Sequence, residues 1–140
     1  MDHVGVVVDD FPAAIAFFLA LGLELQGEWS VEGDPVDRIV GLEGVRSQVA
    51  MLQTPDGHAR VELSKFHSPG HEEGDPEAPS NALGIRHLTF AVDDLDDTLD
   101  RLRAQGAELV GEVVRYGDIY RLCYLRGPEG IIVELAEPLG

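Results

Sequence analysis

The sequence predicts an α+β fold built from two βαβββ modules, and three observations predict it. The chain repeats itself at an offset of 84 residues. Each copy opens on a short apolar run, an Asp pair and a helical apolar stripe. Each copy closes on a turn that leads into Val-Glu-Leu. The length of 140 residues suits one compact domain with a sizeable core. The reading is a single domain over 1–140: a first module over 1–66, a linker loop over 67–84 and a second module over 85–140.

The repeat carries the most information. His3-Val4-Gly5-Val6-Val7-Val8-Asp9-Asp10 falls on His87-Leu88-Thr89-Phe90-Ala91-Val92-Asp93-Asp94, and the match runs without a gap to Glu28 over Glu112. Identical pairs include His3 with His87, Asp9 with Asp93, Asp10 with Asp94, Gly22 with Gly106 and Gly27 with Gly111. The short β-rich opening run of each copy predicts a strand. The Asp pair supplies an N-cap oxygen, and Pro12 is tolerated in a first helical turn. Phe11, Ile15 and Phe18, like Leu95, Leu99 and Leu102, are spaced i, i+4, i+7 and predict one apolar stripe per helix. Gly22 and Gly106 then act as C-terminal caps.

The rear of each copy repeats at another offset. Pro55-Asp56-Gly57 leads to Arg60-Val61-Glu62-Leu63, and Pro128-Glu129-Gly130 leads to Ile132-Val133-Glu134-Leu135. Each is read as a turn followed by a strand ending on Val-Glu-Leu. Val49–Gln53 and Tyr120–Leu125 are the expected strand partners. The expected order is β-α-β-β-β, loop, β-α-β-β-β.

Composition excludes several classes. Hydrophobic residues make up 44% and charged residues 26%, which disfavours disorder. No apolar run approaches the roughly 20 residues of a membrane helix, and no basic, apolar, cleavable leader opens the chain, so a cytoplasmic location is expected. The net charge of −16 repels phosphate backbones and anionic lipid, making nucleic acid and membrane poor partners. The lone Cys123 excludes an internal disulfide and a multi-cysteine zinc site, and its apolar setting predicts a buried thiol.

Each copy places one His at its first strand and one Glu inside its last. Glu62 and Glu134 each stand between Val and Leu, in segments that otherwise belong in a core. A desolvated carboxylate is costly unless something cationic meets it. A lone strand-opening His is commonly a satisfied structural residue, and a lone strand Glu commonly faces solvent. Two of each at matching places in two repeats fit a divalent ion better, held by His3, Glu62, His87 and Glu134. Imidazole and carboxylate suit Zn, Ni, Co, Mn or Fe(II).

These residues also carry a resemblance. His3-Val4-Gly5-Val6-Val7-Val8-Asp9-Asp10, its copy from His87 to Asp94, and Gly127-Pro128-Glu129-Gly130 with Val133-Glu134-Leu135 resemble the vicinal oxygen chelate superfamily over about the whole chain. That group includes glyoxalase I, methylmalonyl-CoA epimerase, extradiol dioxygenases and the bleomycin and fosfomycin resistance proteins. The resemblance implies two modules curled into a cup-shaped mixed sheet with the metal on its floor. It also implies a homodimer in which modules from two chains complete each site, and a small-molecule substrate.

The His-Glu-His-Glu order is similar to that of glyoxalase I and some epimerases. It implies a metal-dependent lyase or isomerase acting on a small α-hydroxy, α-keto or thioester substrate through an enediolate or enolate. Glu62 or Glu134 would then leave the metal and act as the catalytic base. An Fe(II) ring-cleaving dioxygenase and a non-catalytic binder of an antibiotic or metabolite are the alternatives. Val7 and Phe66 replace the Arg and Asn that bacterial glyoxalase I carries, which speaks against glutathione. Glu43-Gly44-Val45 is one position out from the epimerases' Glu-x-Gly-Val.

Of the remaining residues, His58, His67 and His71 are expected to face solvent. Arg38, Arg46, Arg86, Arg115, Arg121 and Arg126 are candidates for an anion clamp. Trp29, Tyr116 and Tyr120 are candidates to line the cup.

Overall fold

A computed structural model describes residues 1–140, which divide into two compact units, 1–74 and 75–140. The first contains β1 (Val4–Val7), α1 (Phe11–Leu21), β2 (Glu24–Glu32), α2 (Asp34–Val40), β3 (Arg46–Gln53) and β4 (Arg60–Ser68). The second contains β5 (His87–Ala91), α3 (Leu95–Ala104), β6 (Glu108–Leu109), β7 (Val114–Tyr116), β8 (Tyr120–Arg126), a 3₁₀ turn (Pro128–Gly130) and β9 (Ile132–Pro138). The α+β class and the strand–helix–strand repeat are both present.

Each unit is one mixed sheet with a helix on one face. The orders are β1-β4-β3-β2 and β5-β9-β8-β6, with β7 also paired to β8. The first and last strands of each unit run parallel, while the β3–β4 and β8–β9 pairs are antiparallel. The parallel pairing explains why the opening apolar run and the Val-Glu-Leu strand, far apart in sequence, become neighbours.

Both helices start as the Asp pairs dictate. Asp10 accepts from the Ala13 amide (3.1 Å) and Asp94 from the Asp97 amide (3.0 Å). Gly22 ends α1 at φ 114°, a region that costs glycine little. In α3 the buried stripe is Leu95, Leu99 and Leu102, as the spacing predicts. In α1 it is rotated: Phe11, Ala14, Phe17, Phe18 and Leu21 are buried and Ile15 is only half-buried. Phe17 offers more apolar area than Ile15, so it takes the sheet-facing place beside Phe18. Ala50, Leu52, Val61 and Leu63 complete that core, and Cys123, Leu125, Val133 and Leu135 complete the other.

The units differ from expectation between their second and third strands. Helix α2 occupies the interval in the first unit and strand β7 in the second. Its start and stop signals stand in the sequence: Pro35 and two acidic residues in the first turn, and Gly41 left-handed at φ 75°. The Asp37 carboxylate accepts from the Gly44 and Val45 amides (2.9 Å each), fixing the loop that carries exposed Glu43. The closing strands also run beyond Val-Glu-Leu, to Ser68 and Pro138, so both glutamates are mid-strand.

Candidate functional site

Strand alternation decides where the glutamates point. Val61 and Leu63 are buried in the helix-side core of the first unit, which turns Glu62 to the opposite face; Val133 and Leu135 do the same for Glu134. Across the parallel pair Glu62 is opposite Gly5, and across the antiparallel pair it is opposite Met51. Glu134 is opposite Thr89 and Tyr124.

Each unit brings its predicted His and Glu together. His3 Nε2 lies 3.3 Å from Glu62 Oε2, and His87 Nε2 lies 3.8 Å from Glu134 Oε1. Their side chains are neither buried nor free: His3 and Glu62 are 34% and 27% exposed, His87 and Glu134 37% and 18%. The carboxylates are therefore less desolvated than their Val–Leu setting suggests. A cation at these positions remains reachable from solvent.

The two imidazoles are held differently. His3 Nδ1 lies 2.7 Å from Asp2 Oδ2, and Asp2 also receives the Arg60 guanidinium. The hydrogen bond from His3 holds the Asp2 carboxyl below the usual carboxylate range against an opposing effect of desolvation, and the charge of Arg60 adds to the lowering. An ionised carboxylate only accepts, so Nδ1 carries the proton it shares with Asp2. Nε2 is then left facing a second carboxylate, an arrangement that a cation or an extra proton satisfies. In metalloproteins a carboxylate behind a ligating His plays this orienting part. His87 has Tyr124 instead, ring centroids 4.8 Å apart, with the phenol oxygen 3.4 Å from Nδ1. Glu134 accepts from the Thr89 hydroxyl at 2.8 Å.

The donors fit a divalent ion in kind and spacing. Two ligands each about 2.0–2.2 Å from one ion stand roughly 3.0–3.5 Å apart, the range His3 and Glu62 occupy. His87 and Glu134 are slightly wider. His3 is brought to Glu62 and His87 to Glu134, but no group of three or more His, Cys, Asp or Glu side chains gathers around a common point.

Asp2, Thr89 and Tyr124 were not singled out from sequence. The signal for the last two was the strand period: once Glu134 is fixed on β9, residues paired with it across β5 and β8 share its face. Tyr116, Tyr120 and Trp29, the aromatic candidates, are all exposed.

The arginines are mostly engaged elsewhere. Arg38 pairs with Asp34, Arg115 with Asp118, and Arg121 with Asp96 and Glu137. Arg86 and Arg126 both donate to the Ala78 carbonyl, at 2.8 and 2.9 Å. Arg46 is exposed. His58 and His67 are exposed as expected, but His71 is half-buried, 3.0 Å from Glu73 and 3.6 Å from Asp9. No helix is long and apolar enough to cross a membrane.

Comparison with known proteins agrees with this architecture. The chain is 49% identical to a glyoxalase family protein from Bacillus cereus whose crystal structure superposes with a TM-score of 0.96, covering 100% of this chain and 94% of that one. It is 29% identical to the protein YaeR of Escherichia coli, over 96% of this chain and 93% of YaeR. Glyoxalase I from Zea mays shares the fold at a TM-score of 0.69 and 17% identity, over 97% of this chain and 45% of that one. Residues 1–135 match the family profile, and the chain therefore belongs to the Glyoxalase/Bleomycin resistance protein/Dioxygenase superfamily.

Proposed function

We propose that this chain is a metal-dependent lyase or isomerase of the glyoxalase I or epimerase type, acting on a small α-hydroxy, α-keto or thioester substrate. The observation that carries the reading is the recurrence of one device in two compact units: a strand-opening imidazole with Nε2 turned on a mid-strand carboxylate, at 3.3 and 3.8 Å. His3, Glu62, His87 and Glu134 would together hold one divalent ion, Zn, Ni, Co, Mn or Fe(II). When bound, such an ion polarises substrate oxygens and so acidifies the neighbouring C–H. The cytoplasmic homodimer implied by the family likeness belongs to the same proposal.

The chain's own residues divide the rest of the work. Asp2 and Tyr124 orient the two imidazoles, and Thr89 orients Glu134. Glu62 or Glu134 would take the α-proton on one oxygen and return it, the role of a general base and then acid.

Metal content measured on protein purified without added metal tests the first part. His3→Ala, Glu62→Ala, His87→Ala and Glu134→Ala should each lose most bound metal, because three ligands seldom hold an ion as four do. Near-wild-type content in all four would remove the site.

Glu62→Gln and Glu134→Gln test the second part, since an amide oxygen still coordinates but cannot accept a proton. At least one should keep its metal and lose about 10²-fold or more in α-proton exchange. Fe(II)- and O₂-dependent consumption of catechols would instead favour ring cleavage. Small-molecule binding that survives chelation, with no turnover, would favour sequestration.

A further inference from the structure

The second unit holds a cavity of about 320 Å³ beside Glu134, lined by Val110, Val114, Leu122 and Tyr124, with Glu112 and Glu134 contributing the charged groups. Ser80 stands on its wall, and neither lysine, arginine nor histidine lines it. The volume is at the small end of what metabolite pockets span. Its walls are aliphatic and aromatic, its only formal charges are negative, and the chain carries a net charge of −16.

The segment that presents Ser80 is not loose. Arg126 reaches the Pro76 and Ala78 carbonyls, and Arg86 reaches those of Ala78 and Pro79. The two guanidiniums that could have met an anion are thus spent on backbone oxygens.

We infer that this cavity takes the non-reacting tail of the substrate, and that the tail is short, apolar and uncharged rather than a carboxylate, phosphate or phosphonate. The inference rests on the proposed function in placing the reacting oxygens at the Glu134 end. An anionic tail would enter a space whose surface is almost wholly apolar and whose lining residues offer it no counter-charge. A tail of a few carbons gains instead from Val110, Val114 and Leu122. The same arrangement selects among substrates by what it refuses.

Two amides that share a head and differ at the tail test this on the full chain without metal: butyramide, ending in a methyl group, and succinamate, ending in a carboxylate. The readout is the backbone amide NMR shifts of Gly111 and Val114. Butyramide should shift them saturably, and succinamate should bind at least ~10-fold more weakly. Val114→Arg, at a half-exposed position where a long side chain is tolerated, should reverse the preference while shifts elsewhere stay in place. Equal or tighter succinamate binding overturns the inference, as does the lack of a saturable butyramide shift at these amides. His3→Ala, which removes a proposed ligand but no residue that lines the cavity, should leave the fragment preference of the metal-free protein unaltered. Loss of the metal reading and loss of this inference therefore give different results: one alters metal content alone, the other the order of the two amides.

Discussion

Asp2 is the residue on which the first imidazole depends. It accepts from His3 Nδ1, and Arg60 approaches its other oxygen and its backbone carbonyl. Asp2→Asn keeps the shape and removes the charge, so His3 should lose its fixed tautomer. Metal affinity should fall about 10-fold or more, the scale set by lost outer partners of ligating histidines, while circular dichroism stays unchanged. Competition with a chromophoric chelator measures it, and undiminished affinity would show that Asp2 is only a surface ion-pair partner. The four ligand candidates were legible in sequence because duplication wrote them twice. Asp2, Thr89 and Tyr124 were not, because hydrogen bonds and cross-strand register depend on which strands pair, and the parallel β1–β4 and β5–β9 pairings join residues 45 to 58 positions apart.

Among the elements, the turn before β9 is the most constrained. Gly130 sits at φ 76°, and a Cβ there would lie 2.1 Å from the Pro76 carbonyl oxygen. Gly130→Ala must push away the 75–80 segment that Arg86 and Arg126 hold by its carbonyls. A loss of about 1–3 kcal/mol in unfolding free energy is expected, from backbone strain and broken hydrogen bonds. Urea denaturation reads it, and an unaltered midpoint would mean that the segment moves aside freely. The motif Gly127-Pro128-Glu129-Gly130 announced a turn from sequence alone, but not that its last glycine seats a remote loop. Helix α2 was missed for a different reason: its seven residues bury no side chain, so no apolar period marks them.

For the whole molecule, the acid limb of stability follows from a few carboxylates. A hydrogen bond from Lys65 holds the Asp9 carboxyl below its ordinary value, and one from Arg121 does so for Asp96, as His3 does for Asp2. A group whose folded pKa is depressed adds stability above its unfolded value, near 3.9 for Asp, and loses it as pH falls through the lower folded value. Stability should therefore be level in these contributions above about pH 5 and decline below about pH 4. Asp96→Asn, which cuts the tie between α3 and Arg121 on β8, should be less stable than wild type at pH 7 and converge with it in acid. Denaturation midpoints across pH 3–7 would show this, and a constant gap at every pH would refute the ionic origin. Cys123 takes no part in this limb, since burial pushes its thiol up and it stays protonated across that range.

The residues opposite the two glutamates break a degeneracy. A perfectly repeated chain would carry two interchangeable carboxylates, neither preferred for any task. Position 5 is glycine and its counterpart at 89 is threonine, so one carboxylate faces a bare backbone while the other is tethered by a hydroxyl at 2.8 Å. No atom stands within 4 Å of where a Cβ on Gly5 would be, so the gap beside Glu62 is real space. The Thr89 side chain, which Gly5 lacks, thus makes the two carboxylates unequal: Glu134 is held by a hydroxyl, and Glu62 by the nearer imidazole at 3.3 Å.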